Sequence, residues 1–161
     1  MNIFVTSHCP AESARFLDDK RVIKMVLESA QLLSTAINLN GGNAPYKTTH
    51  QNHPCNIWAR ESRNNYIWLL EHFAALCEEY TARYGKKHKC EQYIMDFENA
   101  MIYIPVGEQT PFANCAANNE MGISFKNVED VTKAYKLYLS DRWSKDIRIP
   151  TWYKEKRRFV C

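Results

Sequence analysis

The chain has 161 residues, of which 45% are hydrophobic and 24% charged; this balance excludes a mainly disordered chain and suits one domain with a packed core. Its formal charge of +3 is too small to name a partner, although Lys154, Lys156, Arg157 and Arg158 gather at one end as a candidate phosphate contact. No apolar run approaches a membrane span and the opening MNIFVTSHCP lacks the regions of a signal peptide, so a cytoplasmic protein with no membrane contact is expected.

Ile3-Phe4-Val5 reads as a short apolar piece pinned against the core, and Pro10 can open a short helix holding Ala14, Phe16 and Leu17. The stretch from Asp18 to Ile37 then predicts the helix around which the chain is organised. Val22, Val26, Leu33 and Ile37 recur at helical spacing, with Ile23, Leu27 and Ala30 expected to widen the buried face. Asp18 and Asp19 would supply the N-cap and an acidic first turn. Lys20, Lys24 and Glu28 follow at i+4 steps, with Gln31 beyond, so two amines, a carboxylate and an amide line one edge. Such a ladder is either a solvated face or a set of working groups.

Gly41, Gly42 and Pro45 end that helix and a polar loop follows, in which His50, Asn52 and His53 could be presented to a ligand. Helix is expected again from Asn56, with a long run from about Asn64 to Tyr84 ended by Gly85, and then from Cys90 to Met101. Residues 105–125 hold prolines, asparagines and glycines and read as a long irregular connection on the surface. Asn127 would cap a last helix whose stripe is Val131, Ala134, Tyr135, Tyr138 and Leu139, before an extended tail. The expected fold is all-α: one compact helical domain over residues 1–161, four or five helices with no appreciable sheet.

The six cysteines are scattered without a CxxC pair, which reads as free thiols. His8-Cys9, His50, His53-x-Cys55 and His88-x-Cys90 lack the ligand spacing of a zinc site, so neither a metal nor another cofactor is expected. The tail sets Trp152 and Tyr153 beside cations, a combination that can stack on a base and neutralise phosphates, or simply anchor a terminus.

Pro150-Thr151-Trp152-Tyr153-Lys154 resembles the C-terminal signature of the phage pyrimidine-dimer DNA glycosylases, the denV-type endonuclease V family. His50-Gln51-Asn52-His53-Pro54 is similar to an Asn-His-Pro element of its bacterial branch, and the long helix ending in Glu78, Glu79, Arg83, Tyr84 and Gly85 keeps the family's order, as does the opening MNIFVTSHCP. Residues 105–125 have no counterpart. The resemblance implies a monomeric, cytoplasmic DNA-repair enzyme, in the host cytoplasm if phage-encoded, that binds double-stranded DNA carrying a damaged or abasic nucleotide. In that family an amine attacks C1′, expels the base and breaks the 3′ phosphodiester by β-elimination through a Schiff base, assisted by a carboxylate. An amine is needed because an iminium acidifies the C2′ proton.

The family prototype uses the α-amine of a processed Thr, whereas here Met1 precedes Asn2, whose size usually prevents removal of Met. The candidate nucleophiles are therefore the α-amine of Met1 and the amines of Lys20 and Lys24, which would each make the other costlier to charge if buried together. Asp18 or Asp19 fall near the family's carboxylate, with Glu28 as the alternative. His50 and His53 could hold phosphate or relay a proton. A non-catalytic DNA-binding or inhibitor module of the same fold is the competing reading.

Overall fold

The computed structural model describes residues 1–152. Tyr153, Lys154, Lys156, Arg157 and Arg158 lie outside the described residues. Among the described residues six α-helices follow one another: α1 (Pro10–Phe16), α2 (Asp19–Leu39), α3 (Pro54–Glu61), α4 (Arg63–Tyr84), α5 (Ile94–Asn99) and α6 (Val131–Lys145). One small antiparallel pair, β1 (Ala117–Asn118) with β2 (Ile123–Ser124), interrupts the all-α architecture.

Helices α2 and α4 form the centre, with α1 packed on α4 and α3 on both. Val22, Val26, Ala30, Leu33 and Ile37 are fully buried, as the spacing of α2 predicts, and Met25 is buried with them. Ile23 and Leu27 correct that expectation, being 43% and 40% exposed. At 100° per residue they fall toward the Lys20–Lys24 edge, while Ser29 and Leu32 take the buried places on the other flank.

Helix α4 begins at Ser62, whose side chain accepts the Asn65 N–H, and stops at Gly85, which adopts φ 69° and returns its N–H to Thr81 O. Residues 104–116 are irregular, but they do not merely lie on the surface. The unpaired N–H groups of the first turn of α4, at Arg63 and Asn64, donate to Pro105 O and Gly107 O. Buried Asn65 then takes Thr110 N–H on Oδ1 and gives Nδ2 to Trp58 O and Thr110 Oγ1, so one amide stitches the connection to α3 and α4. Phe112 closes the seam against Trp58 and Trp68, and Ala116 and Ile123 are buried. A second correction concerns α6, which is capped by Asp130 rather than Asn127. Its Oδ1 accepts the N–H groups of Thr132 and Lys133.

His72 of α4 is completely buried, bonded through Nδ1 to Pro10 O at 3.0 Å and stacked on Trp68. Burial pushes its pKa down to about 4, so the unfolded chain binds this proton near pH 6.5 and the folded protein does so only near 4. The stability contributed by a neutral His72 is therefore complete above pH 6.5 and is lost as pH falls toward 4, by of order 3 kcal/mol. Urea unfolding at stepped pH should show this loss, and His72→Gln should lack that part of the slope.

Candidate active site

The amino terminus sits against the middle of α2. Met1 N lies 3.8 Å from Glu28 Oε2, and the same oxygen accepts the Asn2 N–H at 3.1 Å. Lys24 Nζ approaches the other oxygen, Oε1, at 3.3 Å. Glu28 is thus a largely buried carboxylate, its side chain 12% exposed, with the terminal amine on one side and a lysine on the other.

Asn2 fixes the terminus. Its Oδ1 accepts the Ile3 N–H and the Tyr135 hydroxyl, both at 2.8 Å, and its Nδ2 donates to Cys115 O. The Tyr135 oxygen in turn accepts the Cys115 N–H at 3.1 Å, so α6 and the irregular connection both hold the first residues. Phe4, packed on Tyr135 and Tyr138, takes φ 58°, a left-handed conformation that is costly for a bulky side chain. The other non-glycine residue with positive φ among the described residues is His50, at 47°. Both outliers lie within a few residues of the groups under discussion, which is where stored strain tends to collect.

His53 is the N-cap of α3, its Nδ1 accepting the Cys55 N–H at 3.2 Å. Its pKa is lowered, first by burial and then by the positive charge of the amino terminus and by His50, while Glu28 acts in the opposite direction. His50 is exposed, with Nδ1 2.7 Å from Thr49 Oγ1, and Asn52 is exposed in the turn between them. Cys55 is buried beside Cys115, and its thiol donates toward Cys115, which holds the Cys115 pKa below the ordinary thiol range and Cys55 well above it.

Asp18 and Asp19 are engaged elsewhere. Asp18 Oδ1 accepts from Arg21 Nη1 and Trp143 Nε1, both at 2.8 Å, and Arg21 continues to Asp146. Asp19 Oδ1 accepts from Arg83 Nη1 at 3.1 Å and Oδ2 from the Thr151 hydroxyl at 2.7 Å. Glu28 lies nine residues beyond Asp19, about 13 Å along the helix axis. Lys20 and Lys24 both face solvent, Lys24 with 72% of its side chain exposed, so the condition under which each would make the other costlier to charge is not met. Trp152 packs edge-on against Trp143 and donates its indole N–H to Phe16 O, away from the terminal amine in its bonding.

A carboxylate beside a pinned α-amine can accept the proton that the amine must lose before it attacks an electrophilic carbon. The family model for pyrimidine dimer DNA glycosylases matches residues 1–92, more than half of the chain. The chain belongs to the pyrimidine dimer DNA glycosylase family. No curated protein and no solved structure matches it. Membership in the pyrimidine dimer DNA glycosylase family implies a DNA substrate and glycosylase chemistry. The matched span contains Met1, Glu28 and His53; Cys115 and Tyr135, which help to hold the terminus, come from outside it. Sequence reasoning passed over these roles, reading Cys115 only as one of six scattered free thiols, Tyr135 only as part of a buried stripe and Asn2 only as an obstacle to Met removal.

Proposed function

We propose that this pyrimidine dimer DNA glycosylase is also an abasic-site lyase whose nucleophile is the α-amine of Met1 and whose acid–base group is Glu28. The observation that carries the reading is the Met1 N to Glu28 separation of 3.8 Å, with the Asn2 N–H holding the same carboxylate oxygen. Contacts of this kind are commonly loose before substrate binds and tighten in the complex.

The amine yields a proton to Glu28 and attacks C1′. The C1′–base bond breaks and its electron pair leaves with the base, which takes up a proton. Opening of the sugar ring breaks C1′–O4′, gives O4′ a proton and leaves an iminium at C1′. Removal of the C2′ proton then sends electrons toward the iminium and breaks the C3′–O bond, releasing the 3′ phosphate, and water hydrolyses the adduct to regenerate the amine. Glu28 can serve at each proton transfer. His53, His50 and Asn52, on the loop into α3, are suited to hold phosphate. Trp152, Tyr153, Lys154, Lys156, Arg157 and Arg158 would contact the duplex. Lys24 is the second candidate nucleophile, since it reaches the other oxygen of the same carboxylate. Asp18 and Asp19 act in this reading as the structural anchor of α2.

Borohydride reduction of the protein mixed with a duplex containing an abasic site should trap one covalent adduct, and peptide mapping should place it on Met1. An adduct on Lys20 or Lys24 would move the nucleophile into the helix. No adduct at all would favour a DNA-binding module without lyase chemistry.

A further inference from the structure

His53 and Cys55 enter α3 two residues apart, and Cys115 arrives from the irregular connection sixty residues later. One ligand atom from each lies within 4.8 Å of the other two. We propose that His53, Cys55 and Cys115 form a binding site for a soft divalent cation of the zinc class, one that clamps the connection to α3 beside the amino terminus.

The donor set suits such a cation: two thiols and an imidazole are the ligands that zinc selects, and three protein ligands with an open fourth position are a recurrent arrangement. Tetrahedral coordination with metal–sulfur bonds of about 2.3 Å and metal–nitrogen bonds of about 2.0–2.1 Å separates the ligand atoms by roughly 3.5–3.8 Å. The observed cluster therefore needs to contract by at most about 1.0–1.3 Å, within reach of side-chain rotation. Its backbone is already held. Cys115 donates its N–H to Tyr135 and its carbonyl accepts from Asn2, while Asn56 Nδ2 binds Thr49 O and His50 O to fix the turn that delivers His53.

Cys55 is buried and His53 and Cys115 are half-buried, so the ligands are partly sheltered from solvent. The Cys55 thiol donates to Asn2 Oδ1 at 3.8 Å, which sets the cluster next to the terminal residues. If His53 binds through Nδ1, the cation displaces the long cap bond to the Cys55 N–H, and ionising Cys55 ends its thiol's donation to Asn2 Oδ1 and toward Cys115. Binding requires both sulfurs as thiolates, so two thiols release their protons to solvent as the two metal–sulfur bonds form. The spacing rule for zinc motifs misses this set because its third ligand is distant in sequence. The site rests on its own residues and does not depend on which amine performs catalysis.

The test uses the full chain, kept reduced with a phosphine, stripped of metal with a chelator and titrated with Co²⁺ and then Zn²⁺. One equivalent of Co²⁺ should produce a thiolate-to-cobalt charge-transfer band with the visible absorption of a tetrahedral ion, and Zn²⁺ should displace it. Cys115→Ser should abolish the band and weaken binding by more than about a hundredfold, beyond what the loss of a merely supporting hydrogen bond costs. Cys9→Ser, which removes an exposed thiol outside the cluster, should leave both unchanged. Circular dichroism melting would establish that the Cys115 variant is folded, and if it is not, His53→Gln should weaken the band in its place. Absence of a thiolate band at one equivalent, or a band of full strength in a folded Cys115→Ser, would overturn the proposal.

Discussion

Glu28→Gln should slow cleavage of an abasic duplex by roughly 10²-fold or more under single-turnover conditions, with little change in duplex affinity. The reason lies in what the amide keeps and what it loses. Gln retains the length of the side chain and an oxygen for the Asn2 N–H, but it cannot take a proton from the amine or from C2′. Melting should therefore change little while the chemical step collapses. Asp19→Asn provides the contrast, since Asp19 is bonded to Arg83 and Thr151 rather than to the amine. Its effect should appear first in stability and only indirectly in rate. Unaltered cleavage by Glu28→Gln would reduce Glu28 to an anchor for the first two residues and remove it from the mechanism.

Replacing Arg83 by Leu should destabilise the protein by about 3–5 kcal/mol, the range seen when one partner of a buried ion pair is deleted. Every donor of this guanidinium is used: Nε and Nη2 reach Glu79, Nη1 reaches Leu17 O and Asp19, and Nη2 also reaches Arg15 O. Its side chain is 2% exposed and the carboxylates of Asp19 and Glu79 are 7% and 4% exposed, so the leucine variant removes the buried cation that the two share, although Asp19 keeps the Thr151 hydroxyl and Glu79 keeps Arg15. Urea unfolding near neutral pH would measure the loss. A loss below 1 kcal/mol would mean that the other partners of the two carboxylates carry the joint between α1, α2 and α4, and Arg83 would lose that role.

Periodicity carried the helical part of this fold because each helix buries a stripe that its own sequence writes out, as Val22, Val26 and Leu33 do. It failed for Ile23 and Leu27 because which flank of a stripe is covered depends on where the neighbouring helix lies. The cap of α6 was misplaced by three residues since both Asn127 and Asp130 are good caps, and only the fold of the preceding turn selects between them. The acidic pair at the head of α2 was visible in the sequence, but its partner Arg83 is sixty-four residues away. Without that partner, two carboxylates beside two lysines resemble a working site. Glu28 stood in the ladder from the start. What singles it out is the return of the chain's first two residues to the same helix, a long-range contact that no local pattern encodes.

The way Asn2 is gripped by α6 and the connection has a practical side for anyone producing this protein. An affinity tag fused ahead of Met1 would turn the α-amine that faces Glu28 into an amide and crowd the contacts that Asn2 makes with Glu28 and Tyr135. Recombinant material should be made untagged at that end, or with a leader that a protease removes without leaving a scar. Intact mass of the purified chain then becomes the first quality check, ahead of any assay.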